Sequence, residues 1–186
     1  MLDATDFAAS VVIRGLMCLK GISLTPLDLG VNPGSFEYLC VRITSISSSC
    51  VAVLVYRPPS ASVSAFVSEP SDILDCVVTF SDPLFVVGDA NIHLERNDDP
   101  DRRQFADALN ARGLVCHVTV TPPTHDCGGT IDIVVTLGDL PAPSIDVINV
   151  GSKVFSIGFP NYQLIILDHV LYSLDFIDVC SQKVIL

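Results

Sequence analysis

The strongest indication of the fold is the segment Phe85-Val86-Val87-Gly88-Asp89-Ala90-Asn91-Ile92-His93, an apolar run followed by polar residues. The continuous apolar run Leu84 to Val87, stopped by Gly88, is typical of a strand buried on both faces. Asp89 and Asn91 follow at the carboxyl end, where α/β sheets bind ligands, and their spacing puts both on one face if strand geometry continues. An aspartate can position or deprotonate a water, and an asparagine can donate to a charged oxygen. The alternative is an ordinary turn with Asx hydrogen bonds.

Further strand signals lie on both sides of this stretch. Tyr38 to Ile46 and Cys50 to Tyr56 are rich in Val, Ile, Leu and Tyr, and the serines between them predict a hairpin. Arg57-Pro58-Pro59 ends the second strand, because proline cannot continue a β-ladder. The same pattern predicts three more strands, at Leu114 to Val120, Ile131 to Thr136 and Ile145 to Val150.

Two helices are predicted. Asp101 can cap a helix from Arg102 to Arg112, which Gly113 closes. A second helix is expected from Ser68 into Cys76, with Pro70 in its first turn. Strands that alternate with a few helices predict an α/β chain with mixed sheets.

The composition limits the class of function. The chain has 186 residues, of which 49% are apolar and 17% charged, so it is neither a disordered tail nor a coiled coil. Lys and Arg total 10 against 21 Asp and Glu, which gives a formal net charge of -11. This argues against a basic nucleic-acid binder but is compatible with an enzyme that meets phosphates through a carboxylate-bound metal.

The remaining compositional signals concern compartment and cysteines. No apolar stretch is long enough for a membrane span, and Asp3 and Asp6 stand where a signal peptide would be basic. We therefore expect an intracellular protein, nuclear or cytoplasmic and not secreted. The seven cysteines form no C-x-x-C pair and are expected to be mostly buried free thiols. A zinc site from Cys116-His117 and His125-x-Cys127 is the less favoured alternative.

Other residues could carry chemistry. Tyr56 closes a strand, and Asp132 follows a Gly-Gly-Thr loop into the next one. Taken alone, Tyr56 is most simply an aromatic residue at a strand end, and Asp132 a carboxylate that anchors its loop. Asp168 could orient the imidazole of His169, although adjacent residues in a strand face opposite ways.

In order, the chain carries Val-Tyr-Arg-Pro-Pro (55–59), Val-Val-Gly-Asp-Ala-Asn-Ile-His (86–93), Pro-Thr-His (123–125), Gly-Gly-Thr-Ile-Asp-Ile-Val-Val-Thr (128–136) and Asp-His (168–169). This order resembles the endonuclease/exonuclease/phosphatase superfamily, in particular the apurinic-like endonuclease domain of non-LTR (LINE-type) retrotransposons. The resemblance runs from about residue 30 to residue 150. It implies a four-layer α/β/β/α sandwich of two mixed sheets, here incomplete.

The resemblance also implies a chemistry: Mg²⁺-dependent cleavage of a DNA phosphodiester, with Mn²⁺ as an alternative ion, in an element that also encodes a reverse transcriptase. It assigns water activation to Asp89, contact with the scissile phosphate to Asn91, and a place beside that phosphate to Tyr56. Asp132 would support the catalytic histidine. From the C-terminal pair, Asp168 would lie near the metal and His169 would stabilise the charge of the transition state.

The chain departs from the family pattern at both ends. The family's metal-ligating Glu precedes the matching segment, and none of Glu37, Glu69 and Glu95 stands in that position. The C-terminal pair follows a leucine instead of a serine and comes after an extra stretch, 152–166. We therefore expect a poorly matching segment 1–29, apparently truncated, a core 30–150 and a divergent segment 151–186.

Three functions compete: a retrotransposon-derived endonuclease with impaired activity, an inactive remnant with at most a binding role, and a phosphoesterase acting on a substrate other than nucleic acid. A complete site would require Gln163 to Val170 to form a strand beside Ile131 to Thr136, so that His169 reaches Asp132. It would also place Tyr56, Asp89, Asn91 and Asp132 at one end of the sheet.

Overall fold

The computed structural model describes residues 23–46, 48–117, 132–149, 153–159, 162–167 and 170–175, with side chains in 23–46, 48–117 and 132–143. The strands are β1 Ser23–Pro26, β2 Glu37–Thr44, β3 Ser49–Tyr56, β4 Leu84–Asp89, β5 Leu114–Cys116, β6 Asp132–Leu137, β7 Ser144–Asn149, β8 Lys153–Phe159, β9 Tyr162–Leu167 and β10 Val170–Asp175. The helices are α1 Val63–Ser68, α2 Pro70–Val77 and α3 Pro100–Asn110.

Six strands form one mixed sheet in the order β1-β2-β3-β4-β6-β5. The predicted hairpin is present as the antiparallel pair β2 and β3. Strand β4 runs parallel to β3 because α1 and α2 carry the chain back to the starting edge, as a parallel connection requires. Strands β4 and β6 pair antiparallel, as do β5 and β6. The predicted α/β class with a mixed sheet is confirmed, and the four-layer arrangement stays a prediction.

The helices differ from the sequence prediction in their starts. Helix α3 begins at Pro100, because Asp99 is the N-cap: its carboxylate accepts the Asp101 N–H at 2.9 Å. The expected cap at Asp101 is therefore wrong by two residues, and Asp-Pro is the usual N-cap and first-turn pair. The second predicted helix is present as α2, with Pro70 in its first turn, and α1 precedes it as a further short helix that the sequence analysis did not predict.

A second sheet is formed by β7 to β10, each antiparallel to the next along the chain. The condition for a complete site, that 163–170 lie beside β6, is not met within the described residues, because β9 pairs with β8 and β10 while β6 pairs with β4 and β5. Consecutive strands joined by short connections pair locally, which explains the difference. Asp168 and His169 lie outside the described residues.

The two faces of the large sheet carry different residues. Val53, Val86 and Val135 lie in register across β3, β4 and β6 and belong to the core shared with the helices. Because side chains alternate, the next residues along these strands point to the opposite face. That face carries two buried rows across the same strands: Ala52, Phe85 and Thr136, and then Leu54, Val87 and Val134. The central strands are therefore buried on both sides, as the apolar run predicts.

The cysteines are partly as expected. Cys40 and Cys50 are free and buried, and burial raises the pKa of their thiols to about 11 and about 12. Cys76 is exposed and Cys116 half-buried, so these two depart from the expectation. His117 contacts the Thr136 hydroxyl at 2.8 Å, and burial lowers its pKa. Within the described ranges, no three His, Cys, Asp or Glu side chains cluster as metal ligands, and no helix could cross a membrane.

The Glu69 carboxylate connects the helical layer to the segment before β2. Its Oε2 accepts the Gly34 N–H at 2.9 Å and the Ser35 N–H and hydroxyl at 2.8 Å each. These hydrogen bonds stabilise the charged form, with the Ser35 backbone N–H as the largest cause, so the pKa of Glu69 lies below its ordinary value of 4.5.

We expect Glu69→Gln to lower stability at pH 7 and to have less effect in acid. A lowered folded pKa means that the contribution is complete above 4.5 and is lost as the pH falls through the folded pKa. Urea unfolding of both proteins at pH 7, 5, 4 and 3 measures this difference. Glu37→Gln removes one exposed carboxylate in the same way and serves as the control. A difference between wild type and Glu69→Gln that does not change with pH would contradict the assignment.

Candidate active site

Three polar residues lie at one end of the sheet face that carries the two buried rows. Tyr56 of β3 is in register with Asp89 of β4, and Asp89 is in register with Asp132 of β6. Directly opposed residues lie on the same face with Cα atoms about 4.5–5.5 Å apart. This row follows the buried apolar rows of the same strands and lies at the carboxyl ends of the parallel strands β3 and β4, where the sequence places a ligand site.

Glu37 extends the row by one strand. It is the register partner of Tyr56 on β2 and lies on the same face, with an exposed side chain. Sequence reasoning missed this neighbour, because it depends on the pairing register of β2 and β3. Tyr56 stands between Glu37 and the two aspartates, so the backbones of Glu37 and Asp89 are two strand spacings apart, about 9.5 Å.

Asn91 lies beside this row through a turn after β4. Its backbone N–H donates to Asp89 Oδ1 at 2.8 Å, which is the Asx turn that the sequence offered as the alternative to a site. Its φ is +49°, a left-handed conformation that asparagine tolerates better than most residues. Its side-chain Nδ2 donates to the Arg57 carbonyl at 2.7 Å. The turn therefore places the Asn91 amide beside the Asp89 carboxylate, so a turn and a site are compatible.

Gly88 lets β4 approach β3 closely just before Asp89. Its φ is +136°, and a Cβ at this position would lie 2.0 Å from the Val55 carbonyl oxygen. Only glycine can occupy this backbone position without displacing β3. The glycine of the Gly-Asp-x-Asn pattern therefore sets where Asp89 leaves the strand.

Arg57 is a second residue of this region that sequence reasoning missed. The Arg-Pro-Pro pattern predicts only the end of a strand, yet Arg57 is 3% exposed and its guanidinium donates to carbonyl oxygens of the turn after β4. Burial lowers the pKa of its guanidinium, and the charges of Asp101 and Asp89 oppose that shift. The sequence signal for this role is an arginine directly after a buried strand. At a buried strand end, backbone carbonyls and not water accept the hydrogen bonds of the guanidinium.

The segment after Asn91 is anchored by alternate buried residues. Ile92 and Leu94 are buried, while His93 and Glu95 are partly exposed and contact each other, with His93 Nδ1 2.8 Å from Glu95 Oε1. Asp89 itself is only 8% exposed. The site end of β4 is thus a well-packed turn with a nearly buried carboxylate.

The described residues do not complete a magnesium site by themselves. Protein carboxylates hold Mg²⁺ together with water and substrate phosphate. Asp89 and Asp132 are suitable oxygen donors at neighbouring positions, but no third His, Cys, Asp or Glu of the described part joins them in a cluster. His169, Asp168 and His125 lie outside the described residues, so the structure brings together four of the predicted residues: Tyr56, Asp89, Asn91 and Asp132.

Comparison with solved structures identifies the fold. The endonuclease domain of TRAS1, a telomere-specific non-LTR retrotransposon, matches with a TM-score of 0.58 and 18% identity over 74% of this chain and 68% of that domain. This chain shares the fold of that endonuclease domain. The predicted resemblance is thereby confirmed at the level of the fold.

Two more distant structures match with lower scores. The human Nocturnin catalytic domain with bound sulfate has a TM-score of 0.49 at 11% identity, over 73% of this chain and 52% of that one. An endonuclease/exonuclease/phosphatase family protein from Bacteroides thetaiotaomicron has 0.42 at 9% identity, over 77% and 71%. No family model and no curated protein sequence matches the chain.

Proposed function

We propose that the chain is a DNA phosphodiester hydrolase of the retrotransposon-endonuclease type, dependent on Mg²⁺ and slow. The observation that carries the proposal is the row Tyr56, Asp89 and Asp132 at one end of the sheet, with the Asn91 amide beside it. These are the residues that the sequence resemblance assigns to phosphate cleavage, and the fold is that of an endonuclease domain.

Asp89 and Asn91 have complementary tasks in this proposal. Asp89 orients the attacking water and takes its proton, and the Asn91 N–H bonded to Oδ1 fixes the direction of the carboxylate. The Asn91 amide nitrogen has two N–H groups, of which one donates to the Arg57 carbonyl. Its second N–H is the donor for a phosphate oxygen, where negative charge accumulates in the transition state.

Tyr56 and Asp132 flank this pair. Tyr56 lies one strand from Asp89, where a phenol can donate to a second phosphate oxygen. Asp132 lies one strand away on the other side, where its carboxylate is a second oxygen donor beside Asp89. When bound, Mg²⁺ would be held by carboxylates of this row and would neutralise charge on the phosphate.

Two properties of the chain lead us to expect slow cleavage. The described residues provide no cluster of three metal ligands. The formal net charge of -11 also opposes approach of a polyanion. Removing one group that stabilises transition-state charge lowers the rate by about 10²–10³.

Nicking of supercoiled plasmid with excess protein tests the proposal. We expect slow conversion to the open-circular form in Mg²⁺, complete inhibition by EDTA, and recovery when Mg²⁺ or Mn²⁺ is returned. Nicking that is unaffected by EDTA would contradict the metal requirement. Absence of nicking with either ion would favour the inactive remnant. Faster hydrolysis of p-nitrophenyl phosphate than of DNA would favour a phosphoesterase with a small substrate.

A further inference from the structure

We propose that Arg57 is a positioning residue of this site. Its guanidinium connects the loop after β3 with the turn after β4, and so sets Asp89 and Asn91 relative to Tyr56. The inference concerns how the site is held together. Its catalytic consequence rests on the proposed function, whereas its structural consequence does not.

The first observation is the set of guanidinium contacts. On one side, Nε donates to the Ala90 carbonyl and Nη2 to the Asn91 carbonyl, both at 2.6 Å. On the other side, Nη1 donates to the carbonyls of Pro58, at 3.4 Å, and Ala61. One side chain thereby joins two loops that are more than 30 positions apart in sequence.

The second observation is that the Arg57 backbone contacts the same turn. Its N–H donates to the Asp89 carbonyl at 2.9 Å, and its carbonyl accepts from Asn91 Nδ2 at 2.7 Å. Tyr56 is the preceding residue, so its position follows directly from that of Arg57. Every residue from Asp89 to Asn91 thus has a hydrogen bond with Arg57.

The third observation is burial. The side chain is 3% exposed, and Cζ lies 5.9 Å from the centroid of the Phe66 ring. Within the described residues the guanidinium donates its hydrogen bonds to carbonyl oxygens, whereas a buried arginine is usually accompanied by a bidentate carboxylate. A desolvated ion held by four backbone carbonyls specifies geometry more than it adds stability.

Lysine could not replace this arginine. The guanidinium presents five N–H donors in a rigid planar fork, whereas an ammonium presents three donors from one point. Arg57→Lys keeps the charge but cannot reach Ala90, Asn91 and Ala61 at once. The turn should then move relative to β3, and displacements of about 1 Å at a reacting centre lower rates by about 10²-fold.

Arg57→Lys and Arg42→Lys form a matched pair. Arg42 lies on the same sheet, with its Cζ 5.9 Å from the Phe80 ring centroid, but it pairs with Asp82 at 3.1 Å, away from the site. For Arg57→Lys we expect single-turnover nicking at saturating DNA to fall at least about 10-fold, with DNA affinity by fluorescence anisotropy unchanged within a factor of two. Arg42→Lys should change neither. Equal nicking by wild type and Arg57→Lys, or a loss confined to affinity, would overturn the proposal.

Amide hydrogen exchange separates this inference from the proposed function. In Arg57→Lys the Asn91 N–H, which donates to Asp89, should exchange at least about 10-fold faster than in wild type and in Arg42→Lys. If wild type does not nick DNA, the proposed function fails, but the exchange rates still test the role of Arg57. An Asn91 N–H that exchanges equally fast in wild type and in Arg57→Lys would overturn the proposal for Arg57.

A measurement on wild type covers the case in which Arg57→Lys does not fold. The Arg57 Nε–H, bonded to the Ala90 carbonyl, should be protected from exchange and should open with the same free energy as the Asn91 N–H. Two different opening free energies would show that the side chain and the turn are not coupled, which overturns the proposal.

Discussion

Replacing Gly88 with alanine is expected to destabilise the protein by at least about 3 kcal/mol. The added Cβ would lie 2.0 Å from the Val55 carbonyl oxygen, 2.9 Å from its nitrogen and 3.0 Å from its carbonyl carbon. These are backbone atoms of the neighbouring strand, so no side-chain rotation can relieve the clash. The φ of +136° adds backbone strain that alanine does not tolerate.

Gly113→Ala is the matched control for this substitution. Gly113 also has a positive φ, +68°, but a Cβ there would meet nothing within 4 Å. The left-handed conformation alone costs about 1–2 kcal/mol. Urea denaturation of both variants separates backbone conformation from strand contact. If both variants lose the same free energy of unfolding, β3 and β4 can move apart at no further cost in stability. The close approach of Gly88 to Val55 would then not constrain the position of Asp89.

Much of the sheet could be predicted because its signals are local. The hairpin, the buried run before Gly88 and the strand after Asp132 each follow from apolar patterning and turn residues, and all three are present. The pairing of the C-terminal strands could not be predicted from such patterns. A uniformly apolar segment pairs equally well with several partners, so the composition of 163–170 does not distinguish β6 from the observed neighbours of β9, which are β8 and β10.

The candidate site was predicted in part for a related reason. Asp89 and Asn91 follow a buried strand, and Tyr56 ends another, so their place at one end of the sheet follows from strand direction. Arg57 was missed because a pattern of letters does not show which backbone carbonyls face a side chain. The role of Glu37 as a register neighbour of Tyr56 depends on strand pairing, which spacing along the chain does not reveal.

The Asp89→Asn variant is expected to lower DNA nicking at least about 100-fold while leaving the fold intact. The asparagine has the same shape, and its Oδ1 can still accept the Asn91 N–H that Asp89 accepts at 2.8 Å. The Asx turn is therefore kept and only the negative charge is lost. Asp89 is 8% exposed, and its charge favours the charged form of the buried Arg57 guanidinium, so a modest loss of stability is expected without a change of fold.

Asp82→Asn is the matched control for Asp89→Asn, because Asp82 lies just before β4, at the end of the strand opposite to Asp89. Its carboxylate also accepts hydrogen bonds, from Arg42 at 3.1 Å and from Ser49. Both variants should be assayed for nicking under excess protein and for unfolding in urea. If Asp89 is the base, only Asp89→Asn loses nicking, whereas a general effect of losing a carboxylate would slow both variants. Wild-type nicking by Asp89→Asn would place the chemistry elsewhere, because an amide cannot take the proton of the attacking water.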